Sequence, residues 1–331
     1  MKYNKMKMTK IWALVGAVVL MCAGNVLTSC SAEDPIEVQV DDTRYYFEPK
    51  PERTDDEAVL RRAFYDKYDI HLIFNDTLRH DSICLDFNGD THYFTELIDM
   101  YYSVGNYMPS TTTDSYRLLT TMEQKYKATK YLETAIQPHF SERMRPFSWL
   151  LVNDISEKTS TSSKPTSPYA VTGERCIAIA LSTYFKLTPA RVPTFTQQVL
   201  NIIAVKMAKN NAKALERFFA FSNMYYGQPF AESSISNDEN LKALREAGFF
   251  SKGKDMFGSA VNGTYPNNEI DLADYVRLSI ANTPEQIKTQ YADYPIIIKK
   301  DSTIRELLEE RGFIYDPETP TDIVTDRFYN N

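Results

Sequence analysis

Cys176-Ile177-Ala178-Ile179-Ala180-Leu181 is an unbroken apolar run of strand length, and what lies on either side of it sets the fold. Such a run reads as a buried strand. Upstream, residues 147–152 read as a second strand, and residues 70–74, ended by Asn75-Asp76, as a third. Between them, residues 115–136 place Leu118, Leu119, Met122, Tyr126, Leu132 and Ile136 on one helical face, and Pro138 ends the run. Thr54-Asp55-Asp56-Glu57 is a capping-box pattern ahead of Val59, Leu60, Ala63 and Phe64 at helical spacing. Residues 156–168 are rich in Ser, Thr, Pro and Lys and read as a loop.

Downstream of Pro193 the pattern turns helical: 197–207, 212–226, 239–247, 271–280, 284–291 and 303–311. Gly248 and Gly312 follow two of these runs, and Thr283-Pro284 opens another. No internal repeat is present. Mixed α/β sequence followed by helices predicts an α+β fold, with a small sheet in the N-terminal half and a mainly helical C-terminal half. One domain over 54–316 and a tail over 317–331 are expected.

The chain's first 29 residues stand apart. Lys2, Lys5, Lys7 and Lys10 precede a nearly unbroken apolar segment, 11–22, too short for the ~20 residues of a bilayer span. This is the pattern of a secretory signal. Leu27-Thr28-Ser29-Cys30 resembles a bacterial lipobox, which implies cleavage before Cys30 and its acylation, with palmitate among the expected chains. An ordinary signal peptide with an incidental cysteine is the alternative. Ser31-Ala32-Glu33-Asp34 resembles the signal that exports lipoproteins of Bacteroidetes to the outer face of the outer membrane. Residues 30–53 read as a tether, with a short strand expected at 44–47.

Removing the four leader lysines leaves 33 basic residues against 44 acidic ones, a balance of −11 where the full chain has −7. That argues against nucleic acid and against electrostatic attachment to anionic lipid. The bias toward aromatics, 22 Tyr and 18 Phe, suits a large core and also carbohydrate or peptide contact surfaces. Beyond Cys30, the remaining thiols Cys84 and Cys176 sit in apolar, strand-like contexts; two buried free thiols are expected, with a disulfide as the alternative.

Several stretches together resemble a family. These are residues 65–74 after the capped helix, the 176–181 strand, the long helix after Thr196, Phe218-Phe219-Ala220-Phe221-Ser222-Asn223-Met224-Tyr225-Tyr226, Arg245-Glu246-Ala247-Gly248-Phe249-Phe250, residues 269–276, and a Lys-rich turn at Lys299-Lys300. Their order is similar to that in the zinc-binding metallopeptidase lipoproteins of Bacteroidetes, across most of 50–316. The resemblance implies a zincin-like domain whose long helix carries His-Glu-x-x-His. Histidines four apart share a helical face and can reach one zinc, and the glutamate can act as base on the bound water. Here those positions hold Gln197, Gln198 and Asn201. Neutral amides are poor zinc ligands beside imidazole, and Gln198 cannot take a proton from water. Glu216 or Asp274, either of which could supply a third ligand in an active relative, would have no imidazole partners.

The chain's four histidines are His71, His80, His92 and His139, no two of them four apart. There is no CxxC pair, no G-x-S-x-G elbow and no phosphate-binding Gly-rich loop. No catalytic residue, metal or cofactor is therefore expected. The reading is a non-catalytic, metallopeptidase-like pseudoenzyme, tethered to the outer membrane and facing outward. A cleft around Gln197, Gln198 and Asn201, with Phe195, Tyr225, Tyr226 and Asp274, would take a peptide or glycan, or the protein would serve a surface uptake complex. The alternative is an active zinc peptidase or a carboxylate hydrolase whose site has no recognisable motif.

Overall fold

The computed structural model describes residues 47–85, 87–101, 112–159, 164–210, 212–230, 237–253 and 263–326. Within them, β5 (Ser148–Thr159) is the strand around which the rest is arranged. On one edge it pairs in parallel with β1 (His71–Ile73), and further along it pairs antiparallel with β4 (Thr112–Leu118). On its other edge it pairs in parallel with β7 (Cys176–Ala180), which carries antiparallel β6 (Ala170–Thr172). This makes a five-stranded mixed sheet. A separate antiparallel hairpin joins β2 (Thr77–Leu85) to β3 (Thr91–Leu97).

Side chains alternate across a strand, so each central strand feeds two cores. Trp149 and Leu151 of β5 and Ile177 and Ile179 of β7 join the larger apolar cluster. Leu150 and Val152, with Cys176, Ala178 and Ala180, join a second cluster with Phe47 and Met100. Burial on both faces explains why 176–181 reads as continuous apolar sequence.

Eight α-helices lie among the described residues. They are α1 (Asp56–Tyr68), α2 (Met122–Tyr131), α3 (Val192–Lys209), α4 (Ala212–Ala220), α5 (Asn237–Glu246), α6 (Asn268–Ala281), α7 (Pro284–Gln290) and α8 (Pro295–Arg311). The larger cluster draws Leu60 and Phe64 from α1, Val199 and Ile203 from α3, Leu272 and Val276 from α6, and Ile304 and Leu308 from α8. The architecture is mixed α/β, compatible with the α+β expectation. None of the helices described is long and apolar enough to cross a membrane.

Local chemistry sets the helix ends. Thr283 and Gln286 close a reciprocal capping box at α7, with Pro284 in the first turn. Gly248 and Gly312 end α5 and α8 with φ of 84° and 108°, the left-handed region glycine occupies without penalty. At α1 the cap is Asp55, whose carboxylate accepts from the Ala58 amide, so the pattern starts one residue later than Thr54.

The structure corrects several expectations. Residues 112–118 are a strand, not the start of a helix. Asp114, Tyr116 and Leu118 alternate inward against β5, and the helix begins only at the Thr121–Gln124 capping box. After α2, Leu132–Ile136 widens into a π-helical turn and Gln137–His139 tightens into a 3₁₀ turn, where Pro138 has no N–H for an α-helical bond. Pairing with β4 carries β5 to Thr159, into the expected loop. Both cysteines are free, but Cys84 is exposed on the hairpin while Cys176 is buried. Residues 1–46, which hold the signal segment, Cys30, most of the tether and all of the expected strand at 44–47 but Phe47, lie outside the described residues.

The segment before Asp326 is not a loose end. Ile323, Val324 and Thr325 are buried, held by Glu133 of the π-helical turn.

Candidate functional site

α3 and α6 pack side by side, and an open groove of about 520 Å³ runs along their seam. Ile202 and Val205 of α3 and Ile270 of α6 give it apolar surface, while Asn201, Asp274 and Arg277 supply polar groups. Asn201 is half-buried, and its Oδ1 is enclosed with no hydrogen-bond partner among the described residues. The Asp274 carboxylate accepts from the Ser251 hydroxyl, and from the Arg277 guanidinium at 2.7 Å. Glu269, also on the groove, is paired with Lys209 at 2.8 Å, which holds its carboxyl below the usual range. An apolar surface with a few fixed polar groups is the chemistry of a binding groove.

Of the residues expected to form one cleft, only Asn201 and Asp274 meet there. Gln197 is half-buried and Gln198 exposed one turn earlier on α3. Phe195 is buried in the core, edge-on to Tyr169 and packed on Tyr131 and Tyr184, so it contributes no surface. Tyr225 packs against Tyr265 in a small satellite cluster. Tyr226 turns inward to a different centre.

The histidines do not gather. His71 is buried in β1 against Phe47, Tyr65 and Phe147. His80 stacks on Tyr93 of the hairpin, and His92 lies opposite Cys84 there. His139 Nδ1 bonds the Ile314 carbonyl at 2.7 Å. Among the described residues no group of three or more His, Cys, Asp or Glu side chains is placed to hold a metal ion. The amides at 197, 198 and 201 therefore do not fit a zinc site.

The centre that Tyr226 joins is the most unusual chemistry in the fold. Lys300 of α8 is fully buried, with its Nζ 2.6 Å from Asp271 Oδ2 of α6. The same ammonium donates to Ser222 Oγ and to the Gly248 carbonyl, each at 3.1 Å. The rings of Tyr275, Phe218 and Phe249 stand 4.6, 4.7 and 4.8 Å from it, a cation–π enclosure. Tyr226 donates to Asp271 Oδ2 at 2.6 Å, while Oδ1 is buried with no partner among the described residues. Burial pushes the Asp271 carboxyl up to about 6 and the Lys300 ammonium down to about 8, with each charge partly restoring the other.

Sequence reasoning passed over this centre by taking Lys299-Lys300 as a turn, whereas both lie within α8. The signal was present. Lys300 falls on the buried stripe of Ile297, Ile304, Leu307 and Leu308, where a lysine needs a partner. Asp271 likewise sits among Leu272, Tyr275 and Val276 on the buried side of α6.

Compared with known proteins, the chain matches no family model, no curated protein sequence and no solved structure.

Proposed function

We propose that this chain is the folded head of a non-catalytic binding protein, zincin-like in architecture, tethered through Cys30 to the outer membrane and facing the exterior. Its ligand is a peptide or glycan segment laid in the α3–α6 groove, taken up on its own or within a surface complex. The observation that carries the reading is that groove itself. It brings Asn201, which the sequence resemblance aligns with a metallopeptidase's second histidine, beside Asp274, with apolar surface between polar groups. An amide and a carboxylate hydrogen-bond a ligand backbone or hydroxyl, but offer neither an imidazole pair nor a base positioned on a metal-bound water.

The test is binding of the full chain to a peptide array and a glycan array, with Ala273→Arg filling the groove. The expected result is a defined ligand class lost in the variant, no peptidase activity, and no stoichiometric zinc by elemental analysis. Chelatable zinc accompanied by peptidase activity would overturn the reading, as would binding indifferent to Ala273→Arg. Labelled palmitate incorporated by the parent chain but not by Cys30→Ser tests the tether separately.

A further inference from the structure

We infer that Lys300 and Asp271 become joined by an isopeptide bond between the lysine Nζ and the aspartate side-chain carbonyl, a covalent link between α8 and α6 made by the folded chain on itself. The two groups are 2.6 Å apart, and their side chains are 0 and 1% exposed. Folding therefore holds nucleophile and acyl carbon together at the effective concentrations that make intramolecular condensation fast. The water released leaves an apolar box for bulk solvent, and no bulk water stands by to reverse the step.

The hydrogen bonds are arranged for it. The ammonium has three protons and three acceptors: Asp271 Oδ2, Ser222 Oγ and the Gly248 carbonyl. When the first proton passes to the carboxylate, Ser222 and Gly248 hold the other two. The nitrogen lone pair is then left facing Asp271. Oδ2 is the oxygen that departs. It receives the lysine proton and already accepts from the Tyr226 hydroxyl at 2.6 Å, which assists its departure as water. Oδ1 has no donor among the described residues, so the carboxylate is poorly satisfied as an anion and gains by losing its charge.

In the step, the Nζ–Cγ bond forms and the Cγ–Oδ2 bond breaks. Of the three ammonium protons, two leave on the water and one stays on the amide nitrogen. No oxidant, reductant or co-reactant is needed. The ordinary values for these groups are 10.5 and 3.8, and burial narrows them to about 8 and about 6. That raises the share of the uncharged, reactive pair.

The experiment is a denaturing tryptic digest of the purified full chain, read by tandem mass spectrometry. The expected product is a branched peptide joining 255–277 to 300–305, one water lighter than the two together, with no cleavage after Lys300. Tyr226→Phe is expected to form it more slowly during refolding, and Lys300→Met and Asp271→Ala not at all. Recovery of the linear peptides from the natively folded parent chain, with full cleavage after Lys300, overturns the inference. Because that readout is on the parent chain, it holds even if both variants fail to fold.

Discussion

Glu133 is a buried carboxylate with a mechanical task, and replacing it by glutamine isolates that task. Its side chain sits on the π-helical turn after α2 and accepts from four neutral donors. Oε1 takes the Tyr68 hydroxyl at 2.9 Å and the Val324 amide at 2.6 Å. Oε2 takes the Thr325 amide at 3.2 Å and its hydroxyl at 2.9 Å. Glu133→Gln keeps the shape but turns one oxygen into an N–H₂ group. Two donors then face a donor. The Thr325 hydroxyl can rotate away, but a backbone N–H cannot, and orphaning a buried polar group costs about 1–3 kcal/mol. The loss is therefore about 1–3 kcal/mol. Against it stand the buried side chains of Ile323 and Val324, each contributing about 1.5–3 kcal/mol, offset by about 1–2 kcal/mol of backbone entropy for every residue ordered. These two contributions nearly cancel over residues 323–325, so the hydrogen bonds to Glu133 decide whether the segment docks, and the substitution removes one of them. The expected outcome is release of this segment rather than global unfolding. Hydrogen exchange at the Val324 and Thr325 amides reads it directly: protection is lost in the variant, while β5 and β7 keep theirs. Unchanged exchange at both amides would refute the reasoning.

Gly248→Ala adds a Cβ where φ is 84°, 2.5 Å from Ile296 Cγ2 and 2.9 Å from Ser222 Oγ, and costs about 2 kcal/mol or more in a urea titration. Gln137→Leu orphans the buried Trp149 indole N–H, which bonds Gln137 Oε1 at 2.9 Å. A loss of about 1–3 kcal/mol is expected in unfolding followed by Trp149 fluorescence, read in a Trp12→Phe background because Trp12 is the chain's other tryptophan. Desolvation lowers the His139 pKa below its ordinary 6.5, against the opposing pull of the Ile314 carbonyl and Asp316. The unfolded chain thus takes up a proton at a pH where the folded one does not, and stability falls as pH drops below 6.5. His139→Gln is expected to flatten that slope between pH 6.5 and 5, and an unchanged slope would assign it to other groups.

What could be read from the sequence was whatever announces itself by continuous burial or by a cap. The 176–181 run, residues 147–152 and residues 70–74 all became strands, because burial on both faces leaves few polar residues to disguise them. Thr283-Pro284, Gly248 and Gly312 marked true helix ends. Of the β2–β3 hairpin only the strand-like stretch around Cys84 was read, and as buried; the rest escaped because it is exposed, with Ile83, Leu85, Tyr93 and Phe94 facing solvent among polar neighbours. Residues 112–118 escaped because Leu118, Leu119 and Met122 satisfy a helical spacing while belonging to a strand, a turn and a helix in succession. The site was half legible. Asn201 and Asp274 share a groove, but Phe195 and Tyr226 were assigned to it on proximity along the chain, and packing sent both inward.

Helix α6 connects the two centres. Asp271 and Asp274 lie three residues apart on adjoining faces, one turned into the Lys300 box and the other onto the groove. Whatever fixes Asp271 fixes the wall that carries Asp274. As an ion pair, the Lys300 contact does this at a cost, since desolvating two charges offsets most of their attraction. As an amide, it removes both charges and keeps the α6–α8 distance. The wall then stays in place when a ligand pushes on it, and the ordering penalty of binding is already met on the protein's side. A groove held by a bond outlasts one held by packing alone.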